Sequence, residues 1–291
     1  MKVIKKILFS MSKLLPDSLY LKIRFKQVMK TKLHLKKPKT FNEKLQWLKI
    51  HDRKAIYTTM SDKYEAKQFV SSVIGEQFIV RTIGVWERFE DINFDDLPEA
   101  FVLKCTHDSG GLVICTNKKD LDFEQARQKI NKSLKKNYYY LSREWPYKNI
   151  KPKIIAEEYL HDDNDSNDLT DYKFYCFNGE PKFLYISKGL KNHSTARISF
   201  VTLDWKFAPF SRSDYRPLEQ LPPKPKKFDE MIRIAKMLSK NCKFLRVDLY
   251  YVDDSIYFSE LTFFPCGGMM PFSNKNDDLE LGKMINLCSE E

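Results

Sequence analysis

Arg246, Asp248 and Tyr250 alternate along one apolar segment near the C-terminus, and Glu260 and Thr262 alternate along the next. Alternate residues of an extended chain share a face, so each segment presents its polar residues together. A three-residue connection at Asp253-Asp254-Ser255 sets Asp248 opposite Glu260 and Arg246 opposite Thr262, whereas a simple two-residue turn sends the two acids to opposite faces. Two carboxylates facing each other across a ladder repel. A divalent cation between them removes that cost, and carboxylates completed by phosphate oxygens are a donor set that suits magnesium. Arg246 beside them is suited to the charge that develops on a transferring phosphoryl group. The plain alternative is a solvated strand face carrying an arginine–acid pair.

A second group lies on the segment Phe101 to Cys105. Its alternation turns Phe101, Leu103 and Cys105 one way and Lys104 the other, just before the turn His107-Asp108-Ser109-Gly110-Gly111. Unhindered backbone N–H groups at such a turn can approach phosphate, although a Gly-Gly hairpin also serves geometry alone. Neither G-x-x-x-x-G-K-[ST] nor G-x-G-x-x-G occurs. The apolar run Ile154-Ile155-Ala156 leads into Glu157-Glu158-Tyr159-Leu160, and Asp171 and Lys173 alternate further on. These supply acceptors and backbone groups for an adenine edge and a ribose, or are ordinary edge-strand charges.

The elements that must position these groups read as α+β. Thr40 and Glu43 form a capping pattern that opens a helix carrying Leu45, Trp47 and Leu48. A helix follows over about 62–73, with Lys63 and Lys67 on an exposed face. Strands are expected at 78–83, 101–105, 112–115, 153–160 and within 171–188, a helix at 120–137, a Pro-rich linker at 221–227, a helix at 228–240, and a hairpin of 245–252 with 256–263. Interleaved helices and antiparallel hairpins do not make a parallel doubly wound sheet.

Composition sets the outer limits. The 291 residues are 42% hydrophobic and 14% aromatic, enough for a large core. No run approaches the ~18 apolar residues of a membrane span. The six cysteines contain no C-x-x-C pair, which fits reduced cytosolic thiols. Residues 1–39 hold twelve Lys or Arg against one acid, Asp17, so this arm carries the whole net charge of +11 and residues 40–291 balance 38 basic residues against 38 acidic. Within it, Ile4, Ile7, Leu8, Met11, Leu14 and Leu15 recur at helical spacing between lysines. Such a helix either lies on an anionic membrane surface at the inner face of the cell membrane or docks its apolar stripe on the body. It lacks the form of a signal peptide, and no nucleic-acid reading motif accompanies its charge.

Taken in order, Lys104 with its Gly turn, Glu157 to Leu160, Asp171 with Lys173, and R-V-D-L-Y followed by F-S-E-L-T-F-F-P resemble the ATP-grasp signature. Thr-Phe-Asn-Glu-Lys-Leu-Gln-Trp at 40–47, Asp62-Lys63-Tyr64 and Asp171-Tyr172-Lys173 are similar to its TupA-like branch, which lies among proteins of surface-polysaccharide and teichuronopeptide biosynthesis. The resemblance implies an ATP-grasp fold: an arm at 1–39, an N-terminal region at 40–97, a first subdomain at 98–160 with a phosphate flap, and a second at 161–291. It implies that Lys104, Gly110 and Gly111 meet ATP phosphates, that Glu157, Glu158 and the Leu160 backbone meet adenine, and that Asp171 meets ribose. It also implies that Asp248, Glu260 and Thr262 hold Mg²⁺, while Arg246 and Lys173 act in catalysis. The implied activity is a carboxylate–amine ligase joining an amino acid or small amine to a carboxylated sugar or glycan, a uronic acid above all. A sugar kinase would use the same ATP site.

The chain departs from that pattern at Thr262, where many relatives have Asn, at Thr106 and Asp108, and at Cys266-Gly267-Gly268-Met269. An Asp108 aimed at the nucleotide would undo the flap assignment. The rival reading is a glycosyltransferase using Asp163-Asn164-Asp165 to hold a metal and diphosphate; the same stretch lacks the Gly and Glu of a calcium loop. A catalytically inactive binding module is a third. Cys105 beside His107 reads as a buried inert thiol, Tyr138-Tyr139-Tyr140 as packing residues or a sugar platform, and His51, His161 and His193 have no partners at metal-ligand spacing.

Overall fold

A computed structural model describes residues 13–161, 169–189 and 196–287. The N-terminal part of the arm, the acidic loop with Asp163-Asn164-Asp165, and His193 lie outside the described residues.

The chain opens with α1 (Asp17–Met29), α2 (Phe41–His51), α3 (Ile56–Ser61) and α4 (Glu65–Ile74). The cap of α2 forms as its sequence requires: Thr40 Oγ1 accepts from the Glu43 N–H and Glu43 Oε2 accepts from the Thr40 N–H. Strand β1 (Thr82–Trp86) then joins β2 (Phe101–Cys105), β3 (Leu112–Cys115) and β4 (Ile154–Glu158) in an antiparallel sheet of order β1-β4-β2-β3, with α5 (Phe123–Leu134) and the short α6 (Tyr139–Ser142) between β3 and β4. This sheet thus begins upstream of residue 98. Phe101, Leu103 and Cys105 pack toward Ala126 and Ile130 of α5 in one core, which leaves Lys104 on the opposite face.

A second antiparallel sheet, order β7-β6-β5-β8-β9, is built from β5 (Asp171–Phe177), β6 (Glu180–Lys188), β7 (Arg197–Thr202), β8 (Phe244–Val252) and β9 (Ser255–Thr262). Helix α7 (Phe228–Ser239) packs on it through Phe228, Met231, Ile234, Ala235 and Leu238, and α2 and α8 (Lys275–Lys283) complete the larger core. The strand expected at 78–83 runs instead over Thr82–Trp86, after a 3₁₀ turn at Glu76–Phe78. Of the arm, α1 docks on the body: Leu21 and Phe25 are buried near Ile50 and Met269, and Asp17 is held by Arg53, Arg143 and Tyr139. Among the described residues no helix is long and apolar enough to cross a membrane.

Candidate active site

The β8–β9 hairpin sets Asp248 opposite Glu260 and Arg246 opposite Thr262. The pairing is the expected one, but the connection is not. Val252 pairs with Ser255, so the turn has two residues, Asp253 and Asp254, both left-handed at φ 49° and 57° as a type I′ turn needs. A bulge between Asp248 and Leu249, where β9 carries the extra Ser259, restores the face that a plain two-residue turn would have lost. On the other side of β8, Lys173 lies opposite Asp248 and Asp171 opposite Tyr250. The five residues predicted on these strands for metal and catalysis therefore gather on one face of the sheet with Asp171.

Their charges interlock. Arg246 donates to Asp248 at 2.7 and 2.6 Å, to Glu260 at 2.8 Å and to Thr262 Oγ1 at 3.0 Å. Lys173 Nζ lies 2.8 Å from Asp248 and 3.1 Å from Asp171. Burial works against the Lys173 charge, but Asp171 and then Asp248 hold it well above the usual lysine range. The two facing acids differ. Asp248 is fully buried, and burial pushes its carboxyl up against the pull of Arg246 and Lys173. Glu260 has a side chain 36% exposed; against the effect of burial, Arg246, Lys173 and Lys63 bring it down to about 2. It is the more accessible of the two acids.

Facing this sheet, Lys104 lies 2.5 Å from Glu157. The two share a face, since Lys104 is opposite Ile155 and Glu157 is opposite Val102. Burial disfavours the Lys104 charge; Glu157 foremost, then Tyr250 and Glu260, raise it above its ordinary value. Lys104 thus couples electrostatically to groups of the second sheet. Glu157 is ion-paired on its other oxygen by Lys67. The expectation that Lys67 lies on an exposed face is wrong: it is 7% exposed and also donates to Val80 O at 2.7 Å and Thr82 Oγ1 at 2.8 Å. Helical periodicity could not reveal this, because β1 and β4 cover that side of α4. Lys63 is likewise committed, its Nζ donating to Asp108 O at 2.5 Å and its N–H to Thr106 O at 3.0 Å. A cleft lined by Ser61, Lys63, Tyr147, Ser259 and Glu260 separates it from the hairpin. The Asp62-Lys63-Tyr64 string is the sequence signal for Lys63, and none marks Lys67.

The turn after β2 resolves the departure at Asp108. Its carboxylate points away from the cleft and into the body: Oδ1 accepts from the Gly111 N–H at 3.0 Å, and Oδ2 accepts from the Ser133 hydroxyl of α5. The Gly111 N–H is therefore used within the turn. A Cβ at Gly111 would fall 2.4 Å from Cys105 Sγ, whereas one at Gly110 would meet nothing closer than 3.6 Å. Gly111 allows close packing; Gly110 is the exposed, open position of the turn. Glu158 is exposed at the end of β4, outside the ionic cluster, and Leu160 is half-buried beyond it. Cys105 is inert as expected, burial foremost pushing its thiol up to about 12. Of the aromatic run, Tyr139 and Tyr140 pack against the Arg143 guanidinium.

Among the described residues, no three His, Cys, Asp or Glu side chains are arranged to hold a metal by protein ligands alone. Asp248, Glu260 and Thr262 supply hard oxygens on one face with Glu260 accessible, a partial set that fits magnesium completed by phosphate oxygens.

The TupA-like ATPgrasp family profile matches residues 43–286, while no curated protein sequence matches the chain. Solved structures similar to it include a D-alanine–D-alanine ligase from Bacillus anthracis complexed with ATP, at 16% identity and a TM-score of 0.39 over 70% of this chain and 54% of that one. An ADP complex of N5-carboxyaminoimidazole synthetase from Staphylococcus aureus aligns at 12% identity and a TM-score of 0.42, over 70% of this chain and 44% of that one. The chain thus spans about half the length of these structures. Because the family match runs through both sheets and every residue of the ionic cluster, the chain belongs to the TupA-like ATP-grasp family.

Proposed function

We propose that this chain binds Mg·ATP between its two sheets and transfers the γ-phosphoryl group to a carboxylate, forming an acyl phosphate that an amine converts to an amide. The observation that carries this reading is the facing pair Asp248 and Glu260 with Arg246 bonded to both and Lys173 behind. The difficulty of the chemistry is charge, since two anions must meet in a site of low dielectric. Bound magnesium would supply positive charge to the phosphate oxygens from Asp248, Glu260 and Thr262.

The chain's own groups do the rest. Lys104 and the flap around Gly110 receive the phosphates; Glu157, with the backbone at Leu160, receives adenine, and Asp171 the ribose. An acceptor carboxylate oxygen then forms a bond to Pγ as the bond from Pγ to the bridging oxygen breaks, and ADP leaves. Arg246 stabilises the charge spread over the transferring group. The amine nitrogen next forms its bond to the acyl carbon, phosphate departs with the C–O pair, and the amine gives up a proton.

The acceptor we propose is a uronic acid of a surface glycan and the donor an amino acid or small amine, on the resemblance carried by the 40–47 and 171–173 motifs. The chain would act in the cytoplasm, with its basic arm at the inner face of the membrane and no nucleic-acid partner. The test is ATP binding and ADP release with and without Mg²⁺, comparing wild type with Glu260→Ala while uronic acids and amines are added. ADP release that needs both carboxylate and amine, and disappears in Glu260→Ala, supports the reading. Binding of a UDP-sugar in place of ATP overturns it.

A further inference from the structure

Helix α1 carries the one acid of the basic arm, and that acid is turned inward. Asp17 Oδ2 accepts from Arg53 at 2.6 Å; Oδ1 accepts from the Tyr139 hydroxyl at 2.6 Å and lies 3.0 Å from Arg143 Nε. The buried Arg143 guanidinium stands 4.2 Å from the centre of the Tyr20 ring, and the Tyr20 hydroxyl donates to Leu141 O at 2.8 Å. Further along the helix, Leu21 and Phe25 are buried with Ile50 of α2 and Met269 of the loop after β9 packed against them. Ion pairs, hydrogen bonds and an apolar stripe thus fix the rotation of α1 on the body.

The opposite side of the helix is bare among the described residues. Residues three and four apart share a helix face, so Leu19, Ile23 and Lys26 line up away from Leu21 and Phe25, with Lys22 and Lys30 beside them. Leu19 and Ile23 are 44% and 43% exposed, and Leu141, next to Tyr20, is 42% exposed. Lys22, Arg24, Lys26, Lys30, Lys32 and Lys36 are exposed as well, and among the described residues none of them forms an ion pair. Residues 40–291, by contrast, balance their charges. The arm keeps its acid inside and sets its bases outside, around two exposed aliphatic side chains.

We propose that α1 is a two-sided helix: its inner face stays on the body while its outer face, Leu19 and Ile23 framed by Lys22, Lys26 and Lys30, lies on an anionic lipid surface. This deepens the membrane placement proposed for the arm and rests on it. A helix in the interface sinks its apolar side chains below the headgroups, and its lysines reach back to the lipid phosphates on their long stems. A lipid surface offers both halves of that match, hydrocarbon for Leu19 and Ile23 and negative charge for the lysines. A nucleic acid offers the charge alone and leaves the two aliphatic side chains in water. Body and membrane are therefore not rivals for the arm, since each takes a different face of the same helix. Because Met269 packs against that helix, the loop after β9 is held at a set position relative to the lipid.

The full chain is sedimented with vesicles of phosphatidylcholine alone and with vesicles of phosphatidylcholine and phosphatidylglycerol in equal parts. Binding to the anionic vesicles only is expected. Lys22→Gln with Lys26→Gln is expected to weaken it about 25-fold, about fivefold for each charge near the surface, and Leu19→Ser with Ile23→Ser about tenfold. These four side chains are exposed, so both double variants keep the denaturation midpoint of wild type. Amide hydrogen exchange of the bound protein reports on the inner face: protection over residues 21–25 and 266–270 is expected to be retained. Vesicle binding that either double variant leaves unchanged overturns the proposal, as does loss of protection at 266–270 on binding. Absence of binding to anionic vesicles overturns it together with the membrane placement of the arm. A single-stranded RNA bound in preference to vesicles, and insensitive to Leu19→Ser with Ile23→Ser, overturns it in favour of nucleic acid. Mg·ATP binding without lipid, expected to be the same in wild type and both variants, reports separately on the phosphoryl-transfer reading.

Discussion

Asp248 stands directly opposite Glu260 although the hairpin that joins them turns in two residues, because Ser259 is absorbed as a bulge beside them. The pairing brings two acids together: burial raises Asp248 against the pull of Arg246, while Arg246 foremost holds Glu260 in its charged form against burial. Glu260 is held at about 2, below the ~4.3 of an unfolded glutamate. A carboxylate whose folded value is depressed adds stability that is fully present above the unfolded value and lost as pH falls through the folded one.

Glu260→Gln removes that contribution. The gap in urea midpoint between wild type and variant is expected to be constant above about pH 5 and to close from about pH 4 toward pH 2. Its size is reduced by solvent screening, since the side chain is 36% exposed. A gap that does not change with pH would show that Arg246 is not holding Glu260 in its charged form.

Lys67 and Lys104 both pair with Glu157 but from different surroundings, and they are expected to separate stability from binding. Lys67 is 7% exposed. Lys67→Met leaves a buried carboxylate short of one partner and is expected to cost about 3 kcal/mol of unfolding free energy. Adding Glu157→Gln to it recovers part of the loss. Lys104 has a side chain 24% exposed and is coupled to Tyr250 and Glu260 of the second sheet, so Lys104→Met lowers nucleotide affinity more than it lowers the denaturation midpoint. Equal effects of the two on both measurements would defeat this division.

Much of this arrangement was legible in the sequence where the deciding interactions are local. The alternation of Phe101, Leu103 and Cys105 against Lys104 fixed which way the lysine faces, and Thr40 with Glu43 fixed where α2 begins. Long-range contacts were not legible. Nothing near Lys67 in sequence announces that Glu157, ninety residues away, will neutralise it. A bulge at Ser259 does not follow from composition, so the right pairing of Asp248 with Glu260 was inferred from the wrong turn. The burial of Asn42, Gln46 and Lys49 on α2 does not follow from helical periodicity, because their partners lie in the loop at 266–270.

Asp108 and Gly111 belong to one internal device, so their substitution should act through folding. Asp108→Asn can still accept from the Gly111 N–H and donate to Ser133, and is expected to change stability little and to leave ATP affinity no higher. Asp108→Ala strands both partners and is expected to cost about 1–3 kcal/mol. Gly111→Ala drives a methyl group into Cys105, with an expected cost of about 1–3 kcal/mol, whereas Gly110→Ala is tolerated. Tighter ATP binding by Asp108→Asn, measured by calorimetry, would show that the acid faces the phosphates after all.

Lys49 gives a pH signature of the same sign as Glu260 but in an alkaline window, because there a burial penalty is relieved as the pH rises. Burial foremost lowers its amine to about 8, with Glu144 pulling the other way, against ~10.4 in an unfolded chain. Between those values the unfolded chain binds the extra proton, so stability rises with pH across that window; below it both states are protonated and the burial penalty is present in full. Lys49→Met, which keeps the length of the side chain but has no charge to bury, lacks this rise. The difference in unfolding free energy, wild type minus variant, is therefore expected to grow in favour of wild type from about pH 8 to pH 10. Denaturant titrations of both proteins at three pH values across that interval measure it. A difference that shrinks over the same interval would mean that the charged ammonium is the form favoured by the carbonyls of Ser142 and Gly267, and that α2 holds the loop at 266–270 by charge as well as by hydrogen bonds.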